Sequence, residues 1–496
     1  MAWIIGDSFD FYAARADAAG HWDSVIAGTI SSTTRFSTGR SFLFGNISTG
    51  LTKNLSSNEA TLFCAFAHYC EAGSSGSTQV ANIQFLDGGT VQCTISFERP
   101  GNIVLRSGGI AGSVLATYSS AWSQGVWDHF QIKVVIDGSS TPVGSITVRK
   151  NGDTSDTWSA TGLNTRGGTA NNYANAVRLT GSNAVVNACF DDFLCFSGSD
   201  PAPNTWVGDI RAVQLMPSAD TAQKQFAAVG SNATTIWSGG TNLVGRSTNT
   251  IYYVLFVAAA TGTVAKIGVK FNSGVTGHAK VALYDATGAG GIPGALLATS
   301  AEVANPITGN NDFTFSSPPS VTAGTTYYAA ILTDVAWNNA GQVATTTIYT
   351  ESQTYGSGFP STATPSPVGT YAGQHTITIT TTNSYCVNEA IEDADASYVY
   401  DSTSGHEDLY DLANLAVTPT SIVGVQSRMF AKKSDSGSRN GQIRVKSGGT
   451  EVGGTDTVLS TTYGWLNRVD AVDPNTSAAW TASAVNALQV GPKVTA

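Results

Sequence analysis

Apolar and polar residues alternate along many short stretches of this chain, with the period of a β-strand. Near the middle of the N-terminal half, Phe130, Ile132 and Val134 share one face of such a stretch. Gln131 and Lys133 share the other face. A period of two with one apolar face predicts a strand that is buried on one side.

A different pattern occurs in residues 188–196, where both faces are apolar apart from Asp191 and Asp192. This pattern predicts a strand that is covered on both sides. Asn151-Gly152 is a turn signal between alternating stretches. Many strands of this kind, without helical stretches between them, predict sandwiches of antiparallel sheets.

Composition supports the same fold class. The chain has 496 residues, of which 12% are charged and 53 are glycine. An average soluble protein is about 25% charged, and long Lys/Glu/Leu-rich stretches are missing here. Since 42% of the residues are hydrophobic, disorder is excluded as well. We therefore predict an all-β, multi-domain protein of β-sandwich or jelly-roll type.

Shifts in composition suggest where the domains lie. Residues 1–216 form one alternating block, and residues 217–250 are rich in turn-forming residues. A second alternating block runs from about 251 to 383. From 384 onward the chain becomes acidic before the strand patterns resume.

The net charge of −10 argues against nucleic acid and anionic membrane surfaces as partners. No apolar run approaches about 18 residues, so no membrane-spanning helix is predicted. The first residues lack the pattern of a secretory signal, which predicts synthesis in a cytoplasm without Sec export. The six cysteines lack zinc spacings and are interpreted as small core residues.

Motifs for covalent chemistry are weak, and we expect no enzymatic activity. Gly6-Asp7-Ser8 suggests an esterase nucleophile, but the Asp-x-x-His that such esterases carry is missing. Glycosidases need paired carboxylates. The closest stretch is the acidic run at 389–395, with Glu389, Glu392, Asp393 and Asp395. A polysaccharide-degrading glycosidase therefore remains an alternative.

Cofactors are not predicted, with Ca²⁺ as the one alternative. The acidic run at 389–395 could offer oxygen ligands, although it lacks the Asp-x-Asp-x-Asp-Gly pattern. Asp191 and Asp192 are a second candidate metal site. The competing interpretation is that these two carboxylates hydrogen-bond loop backbone at the edge of the sandwich.

Carbohydrate binding commonly uses an exposed aromatic ring with amide and carboxylate partners. Trp337 is followed by Asn338 in a turn-like stretch, and Tyr355 and Tyr371 lie in Gly/Pro-rich segments. We therefore predict that Trp337, Asn338, Tyr355 and Tyr371 form a sugar-binding platform. The alternative is that these aromatic residues plug one end of a sandwich.

Several separated segments occur in the order found in one known family. They are 6–12 (GDSFDFY), Gly20-His21-Trp22, 162–167 (GLNTRG), 190–194 (FDDFL), 208–215 (GDIRAVQL), 398–412, 424–448 and 479–494. Together they resemble the concanavalin A-like, laminin G-type jelly-roll proteins encoded among the structural genes of tailed bacteriophages. Residues 236–383 depart from that pattern and resemble a different β-sandwich, with cues at 261–271, 281–284 and 291–294.

This resemblance implies three modules: a jelly roll at 1–216, an inserted sandwich at 236–383, and a C-terminal sandwich from 217–235 plus 384–496. It implies a virion structural protein, of tail or fibre type, that contacts other virion proteins and adheres to host-surface glycans. A capsid decoration protein with only protein–protein contacts is the alternative. A homo-oligomer, by analogy a trimer, is also expected. The resemblance transfers no catalytic residue.

Overall fold

The computed structural model describes residues 3–10, 12, 14–36, 39–44, 50–73, 79–139, 141–181, 187–198, 205–235, 242–389 and 393–496. Its regular structure is almost entirely β-strand, which confirms the predicted all-β, multi-domain fold. Contacts divide the chain into two compact units. The first comprises Met1–Met216 and Thr403–Ala496, and the second Pro217–Glu389 and Asp393–Ser402. The three-module division at 1–216, 236–383 and 217–235 plus 384–496 stays a prediction.

The N-terminal part of the first unit contains strands β1 to β15 and a 3-10 turn at Arg15–Ala18. The strands are β1 Trp3–Asp7, β2 Ser24–Val25, β3 Thr29–Ser31, β4 Ser41–Phe44, β5 Gly50–Glu59, β6 Thr61–Cys70, β7 Gln79–Asp87, β8 Thr90–Glu98, β9 Asn102–Ser107, β10 Val114–Tyr118, β11 Asp128–Val135, β12 Gly144–Lys150, β13 Trp158–Leu163, β14 Ala174–Gly181 and β15 Ala188–Ser197.

These strands form two antiparallel sheets that enclose one core. One sheet has the order β13-β12-β11-β6-β15-β4-β3, with β1 beside β15, and the other has the order β10-β9-β8-β7-β14-β5-β2. The alternation seen in the sequence places Phe130, Ile132 and Val134 in the core. Phe97 of the second sheet packs edge-on against Phe66 of the first, with ring centroids 5.7 Å apart. The two sheets therefore form a sandwich.

Strand β15 is buried along its whole length, as its apolar pattern predicts. Phe190 and Cys195 face the core between the sheets. Leu194 and Phe196 lie in a separate cluster on the outer side, against Trp206 and neighbouring residues of the segment that follows the strand. The segment at 205–212 thus covers the outer face of the first sheet.

The second unit contains strands β16 to β31 and two 3-10 turns, at Tyr355–Ser357 and Ser384–Val387. The strands are β16 Pro217–Lys224, β17 Ala227–Val229, β18 Ser231–Thr235, β19 Asn242–Arg246, β20 Thr250–Val257, β21 Gly262–Phe271, β22 His278–Asp285, β23 Leu296–Thr299, β24 Val303–Ala304, β25 Gly309–Thr314, β26 Ser320–Val321, β27 Thr326–Thr333, β28 Trp337–Ser352, β29 Ser366–Gly373, β30 His375–Thr381 and β31 Tyr398–Tyr400.

Most of these strands belong to one antiparallel sheet with the order β18-β30-β21-β28-β20-β27-β22-β23. Along β22, Val281 and Leu283 lie in one hydrophobic cluster, and Ala282 and Tyr284 lie in another. Because successive side chains of a strand point to opposite faces, both faces of β22 are buried. The strand pairs with β27 in register, with Ala279 opposite Thr333.

The C-terminal part of the first unit contains strands β32 to β38 and helix α1, Ala482–Asn486. The strands are β32 Asp408–Leu412, β33 Val425–Ala431, β34 Asn440–Ser447, β35 Thr450–Gly453, β36 Thr457–Val458, β37 Gly464–Asp470 and β38 Gln489–Val494. β38 pairs with β32 and β34, and β33 pairs with β37. Ile443, Val445 and Trp480 are in their common core.

The Gly6-Asp7-Ser8 motif has a structural role in this fold. Asp7 is buried and accepts hydrogen bonds from the backbone N–H of Phe9 at 2.8 Å, the Tyr12 hydroxyl at 2.7 Å and the Trp22 indole at 2.7 Å. The Ser8 hydroxyl accepts from a backbone N–H two residues on. All six cysteines are free and buried. Among the described residues, no helix has the length and apolar character needed to cross a membrane.

Candidate functional site

The residues of the predicted sugar-binding platform lie in different environments. Trp337 begins β28 and is only 3% exposed, with its ring centroid 4.3 Å from that of Phe271 in the core. Its neighbour Asn338 is exposed. Trp337 is therefore buried and presents no ring face to solvent, whereas a stacking platform needs an accessible face.

Tyr371 lies on β29, where its backbone pairs with Val343. Its side chain lies outside the part of the chain whose side chains are described. The contribution of Tyr371 to sugar binding stays a prediction.

Tyr355 is partly buried against the hydrophobic cluster that contains Tyr253 and Tyr284, in the 3-10 turn that follows β28. Its hydroxyl donates to Glu302 Oε2 at 2.7 Å, and its backbone N–H donates to Asn249 Oδ1 at 2.8 Å. The Lys280 ammonium donates to the Tyr355 carbonyl oxygen at 2.9 Å and lies 4.2 Å from the centre of the ring. These contacts fix both the ring and its hydroxyl.

A histidine and a second carboxylate complete this group. His278 Nδ1 lies 2.7 Å from Asp334 Oδ2, and Nε2 lies 3.9 Å from Glu302 Oε1. The His278 backbone N–H donates to Asp334 Oδ1 at 2.6 Å. We call these five residues the Tyr355 cluster: His278, Lys280, Glu302, Asp334 and Tyr355.

Strand pairing brings the Tyr355 cluster together. His278 and Lys280 begin β22, and Asp334 directly follows β27, its antiparallel partner. Glu302 precedes β24, which pairs with the start of β22 through His278 and Ala304. The sequence gives no signal for this meeting, because the five residues spread from 278 to 355.

The cluster is accessible and charged. The side chains of His278 and Glu302 are 46% and 50% exposed. The hydrogen bond to Asp334 raises the pKa of His278. Burial acts to raise the pKa of Asp334, but the hydrogen bonds from His278 hold it below its usual value. Burial and the bond to Glu302 raise the pKa of the Tyr355 hydroxyl, which therefore stays protonated at neutral pH.

Asp191 and Asp192 lie on β15, where the pairing with β6 shifts register. Asp191 accepts the Asp192 backbone N–H at 2.8 Å and that of Arg35 at 3.3 Å. Asp192 accepts the Ala212 N–H at 2.8 Å and lies 3.6 Å from the Arg35 guanidinium. Asp192 therefore ties Ala212 of the 205–212 segment to the sheet, and Asp191 holds the backbone at Arg35.

The electrostatics of this pair reflect burial. Burial and the charge of Asp192 raise the pKa of Asp191 to about 8. Burial raises the pKa of Asp192 to about 7, against hydrogen bonding from Ala212 and the charge of Arg35. Both carboxylates accept backbone N–H donors, and Asp192 Oδ2 is buried without a hydrogen-bond partner in the part of the chain that the structure describes. No group of three or more His, Cys, Asp or Glu among the described residues is placed to hold a metal ion. Calcium binding by Asp191 and Asp192 stays a prediction.

The acidic run near 389 is also tied to the protein. The Ser397 hydroxyl contacts both Glu389 Oε1, at 2.7 Å, and Asp393 Oδ2, at 2.9 Å. Burial raises the pKa of Glu389. Glu392 lies outside the described residues, and Asp395 is exposed.

Comparison with known proteins gives only distant likenesses. No family model and no curated protein matches the chain. A marine PL-14 alginate lyase from Aplysia kurodai is 12% identical, over 40% of this chain and 98% of its own, with a TM-score of 0.28. Carbohydrate-binding module CBM66 from Bacillus subtilis is 11% identical, over 35% of this chain and 94% of its own, with a TM-score of 0.24.

Domain 4 of AbnA, a GH43 extracellular arabinanase from Geobacillus stearothermophilus solved with arabinotriose, is 18% identical. The match covers 40% of this chain and 93% of the arabinanase domain, with a TM-score of 0.25. All three are carbohydrate-binding or carbohydrate-active proteins. At these identities and TM-scores, the likeness carries no argument about this chain, and its function has to be inferred from its own residues.

Proposed function

We propose that this chain is a non-enzymatic glycan-binding protein and that the Tyr355 cluster holds the glycan. The observation that carries the proposal is the convergence of an aromatic ring, two carboxylates, an imidazole and an ammonium at the surface of the second unit. The ring and its hydroxyl are fixed by Lys280 and Glu302. Glu302 and His278 remain about half exposed.

Glu302, Asp334 and Tyr355 contact the sugar directly in this proposal. Sugar hydroxyls donate to the carboxylates of Glu302 and Asp334, and charge-assisted hydrogen bonds of this kind are the stronger ones. The part of the Tyr355 ring that Lys280 and the neighbouring hydrophobic cluster leave open supplies apolar area for the C–H groups of a sugar. Because Tyr355 and both carboxylates are already oriented by protein contacts, less ordering is needed on binding.

The test is a glycan array followed by calorimetry on the best ligand, with wild-type protein and the Tyr355→Ala and Tyr355→Phe variants. We expect Tyr355→Ala to weaken binding at least tenfold. Tyr355→Phe should weaken it less, because the ring remains. Tyr400→Ala is the matched control, since Tyr400 is 54% exposed and lies outside the cluster.

Two outcomes would contradict the proposal. One is glycan binding that is unchanged by Tyr355→Ala. The other is release of new reducing ends or unsaturated products from a polysaccharide panel, lost in Glu389→Gln or His278→Gln, which would make the protein an enzyme.

We further propose that the protein is a surface component of a phage particle, of tail or fibre type. The support is the ordered set of sequence segments that resemble tailed-phage jelly-roll proteins. Microscopy of the particle with an antibody against the second unit tests this location. Labelled tails support it, whereas labelled capsids without glycan binding favour the decoration role.

The proposed homo-oligomer is tested separately by light scattering on the purified chain. A trimer has three times the chain mass of 51.3 kDa. A monomer at all concentrations would contradict the trimer but not the glycan site.

A further inference from the structure

An open cavity lies at the opposite end of β22 and β27 from the Tyr355 cluster. Strand β22 runs from His278 to Asp285, and Asp285 pairs with Tyr327 near the start of β27. Eight residues of strand separate the two ends by about 23 Å. The cavity has a volume of about 390 Å³, and its walls include Asp285, Thr287, Leu297, Ser320, Thr325 and Thr326.

Asp285 provides the one charge among these lining residues. Its Oδ1 accepts three hydrogen bonds, from the Thr287 backbone N–H at 3.2 Å, the Thr287 hydroxyl at 2.7 Å and the Ala295 N–H at 2.7 Å. No described group donates to Oδ2. Burial acts to raise the pKa of Asp285, but the Thr287 and Ala295 hydrogen bonds lower it, so the carboxylate is ionised at neutral pH. One oriented acceptor is therefore left for a ligand.

The other walls are uncharged and of two kinds. The hydroxyls of Ser320, Thr325 and Thr326 form no hydrogen bond with the described part of the chain, so they can both donate and accept. Leu297 is 40% exposed and offers an aliphatic surface. No Lys, Arg or His lines the cavity, which disfavours an anionic ligand.

We propose that this cavity is a second binding site, which takes a single neutral sugar unit. A sugar ring combines hydroxyls with a C–H face, which matches one carboxylate oxygen, three hydroxyls and a leucine. The volume falls in the range of about 300–1,000 Å³ that is usual for small-ligand sites. The site is independent of the Tyr355 cluster, since the two share no residue.

The experiment is saturation-transfer NMR on the full chain with a panel of neutral hexoses, hexosamines and uronic acids, followed by titration. Ser320→Trp fills the cavity from an exposed position, and Asp285→Asn removes the charge. We expect saturable transfer from a neutral hexose, weakened at least tenfold by Ser320→Trp and severalfold by Asp285→Asn. Ser273→Trp is the matched control, at an exposed serine beyond the far end of β21.

Absence of transfer from every neutral sugar overturns the proposal. So does transfer that survives Ser320→Trp in a variant with an unchanged unfolding transition. If Ser320→Trp does not fold, Asp285→Asn decides the question, because unchanged affinity in that variant contradicts the role given to Oδ2. Tyr355→Ala should leave this site intact, so failure of either site is distinguishable from failure of the other.

Discussion

Two groups of side chains in this molecule contain the same kinds of residue, two carboxylates with a cation and an aromatic ring, but differ in burial. In the first unit, Asp191 and Asp192 lie beside Arg35, and the Arg35 guanidinium stands over the ring of Phe36. In the second unit, Glu302 and Asp334 lie with Lys280, whose ammonium stands over the ring of Tyr355. The first group is buried against a covering segment, and the second is open to solvent.

A histidine in each region shows what the difference does. His129 is 1% exposed, and burial lowers its pKa to about 4. His278 is 46% exposed, and its hydrogen bond to Asp334 raises its pKa. The same residue types therefore hold a covering segment in place when they are buried beneath it. They become a candidate binding site when their polar atoms face solvent.

The largest expected effect is on stability. Asp192→Ala leaves the Ala212 N–H without its acceptor and removes a carboxylate that lies 3.6 Å from the Arg35 guanidinium. It should therefore lower the free energy of unfolding of the first unit by about 2–3 kcal/mol. Glu302→Ala, the matched change at the exposed cluster, should cost less than about 0.5 kcal/mol. Urea unfolding followed by tryptophan fluorescence measures both. Equal costs would abolish the contrast between the regions.

The second prediction concerns pH. Because the folded pKa values of Asp191 and Asp192 are raised to about 8 and about 7, the folded state keeps protons that the unfolded chain releases near pH 4. The stabilisation that these bound protons give the folded state is complete below the pKa of the unfolded chain. It is lost as the pH rises through about 8. The stability of Asp191→Asn relative to wild type should therefore improve as the pH rises from 5 to 8.5, because the variant has no proton to release.

Urea unfolding at the two pH values gives the relative stability, and Glu302→Gln, at a carboxylate whose side chain is 50% exposed, serves as the control. A difference between wild type and Asp191→Asn that is constant with pH would show that Asp191 is ionised in the folded protein.

The alternation in the sequence was sufficient to predict strands such as β11 and the doubly covered β15, because burial of strand faces leaves a local pattern. The alternation was insufficient to predict the Tyr355 cluster. Glu302, Asp334 and Tyr355 meet only through the antiparallel pairing around β22, which no local pattern specifies. Trp337 is buried because it begins β28 opposite the ring of Phe271, and a turn-like composition does not reveal that contact.

The third prediction concerns binding. Glu302→Gln and Asp334→Asn remove one charged acceptor each, and we expect a three- to tenfold loss of glycan affinity, or about 0.7–1.4 kcal/mol. Asp192→Asn, at the buried pair, should leave affinity unchanged. Calorimetry with the best array ligand measures all three. Loss of affinity in Asp192→Asn but in neither cluster variant would move the site to the first unit.

The smallest expected effect is a difference between the titration midpoints of two histidines in the folded protein. Proton–nitrogen spectra of the imidazoles should show His278 titrating above its ordinary value of 6.5, and His129 remaining neutral down to about pH 4. Asp334→Asn should move the His278 midpoint downward, because it removes the hydrogen-bonded charge. Identical midpoints for the two histidines would mean that burial does not distinguish the regions.

The most direct test is a structure of the chain with the best array glycan bound. The account predicts sugar hydroxyls within hydrogen-bond distance of Glu302 and Asp334, and a ring against Tyr355. Glycan bound only on the first unit, with the Tyr355 cluster empty at saturating ligand, would contradict it.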